Sequence, residues 1–483
     1  MIMNDALMDE VHPPEGHELR CAPWVYKDGK PERQGGDIVE NLRITLPERV
    51  DRIITILQKH GYEAYAVGGC VRDSVLGRKP MDWDITTSAM PQETKALFHK
   101  TFDTGIEHGT VTVMMGDEGF EVTTYRIDGE YEDCRHPKEV TFTRNLKDDL
   151  LRRDFTINAM AYNEKDGLVD IFGGIRDIQA NIIRCVGNAK ERFSEDALRI
   201  LRGLRFAAQL GFRIEEGTRR GMKELASTLE KISAERIQAE LVKLVTSDRP
   251  ELLRDAYELG ITRVFLPEFD RIMVTGQETP HHMYSVGEHT LHAMKNIRAD
   301  KALRLTMLLH DMGKPALKTV DDEGVAHFKR HAAESQVIAK DVLKRLKFDN
   351  DTQSKVTRLV CCHDYRMPAT AKNVRRAMNQ IGEDLFPYYM EVRRADVLAQ
   401  SMYMRDEKIK NLDDIEILYQ EIVQANQCVS LKDLAVSGRD LIGLGMKPGK
   451  EIGACLDRLL EQVIEKPECN EKGKLLKLAS EWM

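Results

Sequence analysis

No apolar run in this 483-residue chain approaches the roughly 18 residues that a membrane-spanning helix needs, so no membrane partner is expected. The first residues lack the basic stretch and apolar core of a secretory signal, so export is not expected. No Cys-x-x-Cys occurs. Nine cysteines, an odd number in a chain this long, read as reduced thiols of a cytoplasmic protein and not as a disulfide framework. The adjacent Cys361-Cys362 reads as helix packing. An excess of positive charge is also missing: 71 Lys and Arg stand against 79 Asp and Glu, a net charge of −8. That excludes a protein that coats nucleic acid indiscriminately, but not an RNA partner, because the local potential of a cleft governs a structured ligand. Internal repeats and low-complexity segments are absent too. What is present in bulk is ordinary, with 42% hydrophobic and 31% charged residues. The length is too great for one core and suggests about three or four domains.

Residues 1–44 are polar, punctuated by Gly and Pro and aperiodic, and read as a mobile extension. Residues 45–185 alternate short strands and helices. Val111–Met115 and Phe120–Tyr125 read as strands joined by a hairpin at Gly116-Asp117-Glu118-Gly119. Beyond about residue 185 the apolar spacing becomes helical. The expected class is α+β, a mixed head on a long all-α body.

Asp82-Trp83-Asp84, closely following Gly68-Gly69-Cys70-Val71-Arg72-Asp73, carries the most chemistry. On a strand, Asp82 and Asp84 project the same way, roughly 6 to 7 Å apart at the backbone. Paired carboxylates repel unless cations lie between them, and Mg²⁺ takes one or two carboxylates and completes its octahedron with waters and substrate phosphates. Two such ions suit in-line phosphoryl displacement. Tyr65-Ala66-Val67 ends an apolar strand, and Gly68-Gly69 lets amides approach a triphosphate with no Cβ in the way. Arg72 is placed to grip phosphate oxygens as a fork. A lone Gly-Gly is usually a turn, and a lone Asp-x-Asp is usually a solvated strand edge. Strand, Gly-Gly turn, short helix and Asp-x-Asp in that order read as a nucleotidyltransferase. The combination resembles the class II tRNA nucleotidyltransferase and bacterial poly(A) polymerase superfamily, whose head is polymerase-beta-like.

The resemblance implies further roles. Arg152-Arg153-Asp154, by itself an N-cap with ion pairs, matches the family's second motif, with Arg153 on phosphate and Asp154 on a ribose hydroxyl. Phe172-Gly173-Gly174-Ile175-Arg176-Asp177 matches a third motif thought to act as a hinge. The stretch from Glu195 to Arg205 resembles the amino-acid template that selects the base. On a helix Asp196, Arg199 and Arg202 share a face, a spacing that otherwise makes a salt-bridge ladder. As a template, Asp196 accepts from the exocyclic amine of cytosine or adenine while Arg199 donates to the ring. Uracil O4 and guanine O6 would oppose Asp196 acceptor to acceptor, costing about 1 to 3 kcal/mol. Arg202 and Arg205 would then serve phosphates. Asp128–Pro137 looks like the flexible loop used by CCA-adding members in switching from CTP to ATP. Glu121 is either a third metal carboxylate or a solvated strand residue.

A second constellation, residues 281–396, gathers His281-His282, His289, His310-Asp311, His331, His363-Asp364 and Asp396. It resembles an HD domain, in which His289, His310, Asp311 and Asp396 would hold a divalent metal and His331 and His363 would be available for a second. Imidazole with carboxylate suits a transition metal better than Mg²⁺. Near the C-terminus, Lys447-Pro448-Gly449-Lys450 before a helix resembles the tail with which bacterial members grip tRNA.

The expected division is an extension (1–44), a catalytic head (45–185), a neck and body for nucleotide selection and RNA binding (186–278), an HD domain (279–402) and a tRNA-binding helical tail (403–483). The activity implied is template-independent addition of CCA to tRNA from CTP and ATP, with Mg²⁺ in the head and no DNA partner. Poly(A) polymerase, a partial CC- or A-adding enzyme, and an RNA-binding protein with only HD phosphohydrolysis remain as alternatives.

Overall fold

The structure is a computed structural model that describes residues 24–27, 30–33, 42–129 and 140–482. Most of the 1–44 extension and of the 128–137 loop therefore lies outside the described residues. Within the stretch read as aperiodic, Trp24–Lys27 pairs antiparallel with Lys30–Arg33. The chain divides into two compact units, residues 1–199 with 212–222 and residues 200–211 with 223–483.

The first unit is built on a seven-stranded sheet ordered Gly167–Asp170, Met160–Asn163, Ala64–Val67, Asp84–Thr87, Glu118–Thr124, Thr110–Met115, Thr101–Gly105. Only the Asp84–Thr87 and Glu118–Thr124 pair is parallel, so the sheet is mixed as expected. Ala64–Val67, in its interior, is buried at every position. Such a strand reads as a continuous apolar run because both of its faces are covered. One cover is the helix Glu48–Lys59, whose Val50, Ile53, Ile54 and Leu57 recur at helical spacing and turn inward.

The neck expected at 186–278 is divided. Ile182–Ile183 pairs in parallel with Arg213–Ile214, and Arg184 meets Glu215 at 3.5 Å, so residues 186–199 and 212–222 fold with the head. Pairing across the 198–210 helix is a long-range contact that periodicity along the chain does not register.

The second unit is helical apart from the two-residue strands Thr319–Val320 and Ala326–His327. Phe386–Ala399 and Arg405–Gln424 share one hydrophobic cluster, to which Phe386, Tyr389, Ile415 and Ile422 belong. The boundary drawn at 402/403 thus cuts a single core. A separate cluster around Leu441, Leu459, Val463 and Leu475 makes the C-terminal segment, tied back by Arg375 Nε donating to the Ile464 carbonyl at 2.8 Å. The helix Lys450–Glu465 begins at the Lys447–Lys450 turn as expected, with Gly449 as its N-cap. Among the described residues no helix is long and apolar enough to cross a membrane, and seven cysteines are free.

Candidate active site

Val67 pairs with Asp84, so the Gly68-Gly69 turn and the second carboxylate of Asp82-Trp83-Asp84 leave the same end of the sheet. The strand starts at Asp84, two residues later than expected, and Asp82 lies in the loop before it. The partner strand ends at Val67 because Gly68, at φ +84°, turns the chain away and leaves residues 82 and 83 nothing to pair with. Both carboxylates are exposed, and among the described residues neither has an ion pair or a side-chain hydrogen bond. The surrounding protein raises the pKa of Asp84, the charge of Asp82 adds to that, and Arg153 opposes it. One residue before the first parallel pair, Ile85 with Val122, stand Asp84 and Glu121, both exposed. Glu121 thus has the register of a third carboxylate. Two neighbouring acidic groups with no ion-pair contact among the described residues fit a divalent metal.

Arg153 faces this site. A Cβ on Gly68 would come within 3.1 Å of its Nη1 and press on the guanidinium, while the backbone angle of Gly68 is what favours glycine there. Arg153 Nη2 reaches Asp149 Oδ2 at 3.3 Å, while its buried Nε has no hydrogen-bond partner among the described residues. Asp149, fully buried, also takes Nε and Nη2 of Arg152 at 3.0 and 2.7 Å and the Thr86 hydroxyl at 3.1 Å. Burial pushes its pKa up, but Arg152 and Arg153 outweigh burial and hold it below the usual carboxylate range. Asp149 escaped the sequence reading, although its i+3 and i+4 spacing to the two arginines was a signal.

Arg72 is buried in a different role from the phosphate fork expected. Its Nε donates to Asp73 at 2.9 Å and its Nη1 to Asn158 Oδ1 at 2.7 Å, so it ties the short helix Gly69–Val75 to the second motif. Asp154 accepts from the Phe155 amide at 2.8 Å and from Asn158 Nδ2 at 3.1 Å, which shapes the turn behind Arg153. The Gly68 amide is donated to the Met160 carbonyl, so only the amides of the first helical turn beyond it could meet an anion. The third motif clamps the second: Asp177 accepts from the Thr156 hydroxyl at 2.7 Å, and a Cβ on Gly174 would collide with the Thr156 carbonyl oxygen.

Asp196 is not on the helical face expected for it. It separates the helices Ala189–Glu195 and Leu198–Leu210 in an extended conformation, and its Oδ1 accepts from the Leu198 amide at 3.0 Å. An aspartate wins there because it satisfies an orphan amide at a helix start. Arg199 binds Glu195 at 2.6 Å and the carbonyls of Arg192 and Arg152 at 3.0 and 2.8 Å. The would-be template is thereby joined to the phosphate motif through Arg152. Arg202 and Arg205 belong to the second unit. Arg205 is buried against Glu240 at 3.2 Å and stacked 4.1 Å over the Phe206 ring, a structural pair in place of the phosphate contact expected. Arg202 lies 5.3 Å from the same ring.

In the second unit the histidines converge. His289, His310, His331 and His363 each place Nδ1 against a backbone carbonyl, at 3.3, 2.7, 2.8 and 2.7 Å. A carbonyl only accepts, so Nδ1 carries a proton, and the lone pair of a ring in its neutral form lies at Nε2. His289 Nε2 lies 2.9 Å from Asp396 Oδ1, and His331 and His363 approach Asp311 Oδ1 at 3.4 and 3.5 Å. Two clusters result, His289 with His310 and Asp396, and Asp311 with His331 and His363. Asp311 reaches both, because its Oδ2 lies 3.1 Å from His310 Nε2 and 3.8 Å from His289 Nε2, so the expected four do stand together. The Nε2 atoms of His331 and His363 are 3.1 Å apart, two lone pairs that need a proton or a cation between them. Both Asp311 oxygens are buried without an aligned hydrogen bond, although Lys314 Nζ is 2.7 Å away. Burial opposes charge on His310, but Asp311 and Asp396 raise its pKa, and burial with the Lys314 charge lowers that of His282 to about 3. These orphaned donors and acceptors fit transition-metal ions.

Comparison with known proteins covers nearly the whole chain. Residues 64–184 match the poly A polymerase head domain, 211–273 an RNA-binding region of polymerase A, and 322–479 tRNA nucleotidyltransferase domain 2. The last match runs across the 402/403 line, as the shared core does. A CCA-adding enzyme of Limosilactobacillus fermentum is 36% identical over 90% of this chain and 98% of its own length. One from Leuconostoc mesenteroides is 33% identical over 89% and 95%. The crystal structure of the Bacillus stearothermophilus CCA-adding enzyme in complex with CTP superposes with a TM-score of 0.66 at 29% identity, covering 90% of this chain and 96% of that one.

Proposed function

The chain belongs to the CCA-adding enzyme family, and on that premise we propose how its residues divide the work of building the CCA end of tRNA. It is a tRNA nucleotidyltransferase that transfers CMP, CMP and then AMP from CTP and ATP. In each cycle the tRNA 3′ oxygen forms a bond to the α-phosphorus, the α–β bridge breaks, and pyrophosphate leaves. Alignment with CCA-adding enzymes over nine-tenths of the chain carries the reading.

Asp82 and Asp84, with Glu121 beside them, are the residues to hold the divalent metal that the family uses, and we read that metal as Mg²⁺. A divalent cation there supplies Lewis-acid stabilisation of charge developing at the α-phosphate. The first-turn amides after Gly68 and the free Nε edge of Arg153 bind the triphosphate, and Arg72 and Asp154 hold that seat in shape. Asp196 and Arg199 read the base, and Arg202 remains a candidate for RNA phosphate. The compartment is the cytoplasm, in keeping with the free described cysteines.

The test is single-nucleotide extension of tRNA ending at the discriminator base. Two additions with CTP alone and three with CTP plus ATP are expected. A ladder with ATP alone would identify a poly(A) polymerase, and a stop at two with both nucleotides a CC-adding enzyme. In the same assay Asp196→Ala should raise UTP incorporation relative to CTP about 5- to 100-fold, because the acceptor-acceptor clash disappears. Unchanged rejection of UTP would count against the template role.

A second activity is favoured by the convergence of four histidines with Asp311 and Asp396. We propose a dinuclear centre for phosphoester hydrolysis, with His289, His310 and Asp396 on one ion and Asp311, His331 and His363 serving the other. Calorimetric titration with Mn²⁺ should give two equivalents per chain, and Asp311→Asn should lose at least one. Absence of Mn²⁺ binding by the native protein would end this reading.

A further inference from the structure

A cavity of about 540 Å³ opens over the histidine cluster, with Asp311, His363 and Asp396 among its walls. Arg366, Gln400 and Lys408 also line it. Lys408, on the helix Arg405–Gln424, is half-buried. Its ammonium donates to Gln400 Oε1 at 2.7 Å and meets His281 Nδ1 at 3.1 Å. Both partners are neutral acceptors, and among the described residues no carboxylate pairs with it.

A half-buried ammonium with no carboxylate in contact, Asp396 acting on it only from beyond Gln400, is costly unless an anion completes it. Its pKa is lowered, first by burial and then by the charge of Arg366. The position is nonetheless firmly held. The His281 ring packs edge-on against Tyr403 at 4.9 Å, and the Ser401 amide donates to the His281 carbonyl at 2.8 Å. Gln400, whose carbonyl takes Lys408, gives its Nε2 to Asp396 Oδ2 at 3.1 Å. One amide group therefore spans from a proposed metal ligand to the lysine.

Arg366 is already paired with Asp364 at 2.8 Å, and we propose that Lys408 is the anion subsite of this cavity and that the ligand of the dinuclear centre is a phosphomonoester. This rests on the dinuclear reading above. A monoester has three non-bridging oxygens, enough for two cations and Lys408 together, whereas a diester has only two. The volume leaves room for an organic group the size of a nucleoside.

The experiment titrates inorganic phosphate into full-length native protein, Lys408→Met and Lys408→Arg, once in EDTA and once with saturating Mn²⁺. Lys408→Met should weaken phosphate binding about tenfold or more in both conditions, and Lys408→Arg should stay within a few-fold of native. CCA addition by each variant reports that the chain is folded. With Mn²⁺, Lys408→Met should raise KM for p-nitrophenyl phosphate and leave bis(p-nitrophenyl) phosphate unchanged. Equal phosphate affinity of native and Lys408→Met in both conditions overturns the proposal. Fewer than two bound Mn²⁺ overturns the dinuclear reading alone, because the loss of affinity in EDTA still assigns the subsite.

Discussion

Replacing Asp84 with asparagine is expected to cut nucleotide incorporation by about three to four powers of ten while tRNA affinity stays within about twofold. Lewis-acid stabilisation contributes several kcal/mol at the transition state, and each 1.4 kcal/mol is a factor of ten in rate. Asparagine keeps the size of the side chain but not the charge, and the exposed Asp84 side chain holds no other residue in place. Folding should therefore be untouched, which separates this variant from a merely destabilised one. Asp82→Ala should match it. Quench-flow incorporation of CMP beside filter binding of tRNA makes both measurements, and turnover within tenfold of native would remove Asp84 from the metal site.

Asp149→Ala should fail in a different manner. The buried carboxylate is the common partner of Arg152 and Arg153, so its removal takes from both guanidinium groups their ion pair with Asp149. Breaking a buried pair from one side costs about 3 to 5 kcal/mol. Arg153 would also lose the contact that aims it, so incorporation should fall with stability. Because the folded pKa lies below its unfolded value, the contribution is complete above about pH 4, the ordinary carboxylate range, and is lost as pH falls through the folded value. Urea unfolding at pH 7 should show the full difference between native and variant, shrinking towards acid pH. A difference below about 1 kcal/mol at pH 7 would mean that solvent already screens the cluster.

The sequence was most legible where chemistry and local spacing coincide. Gly68-Gly69 and Asp82-Trp83-Asp84 declare themselves because a short connection brings them to adjacent strands. The histidines were visible as a group because eight of the fourteen fall between residues 281 and 363. Partners supplied from far along the chain were not visible. Arg72 looks like a phosphate fork until Asn158, 86 residues later, proves to hold it, and Arg205 looks like a phosphate ligand until Glu240 arrives from another helix. Asp196 was misplaced for a local reason: helical spacing was extended one turn too far, past a residue type that caps helices. Lys408 carries no motif at all, and only the missing counter-charge marks it.

The sheet order has a consequence for synthesis. Ala64–Val67, which delivers Gly68, pairs on one side with Asp84–Thr87 but on the other with Met160–Asn163, Val67 facing Ala161. On a ribosome its second edge stays open until almost a hundred further residues have emerged. Until then the nascent protein presents an apolar strand with an unpaired rim, the kind of surface that recruits chaperones or other chains. Arg153 and Asn158 arrive just ahead of the closing strand, so the catalytic seat and the protection of that rim are completed in one step.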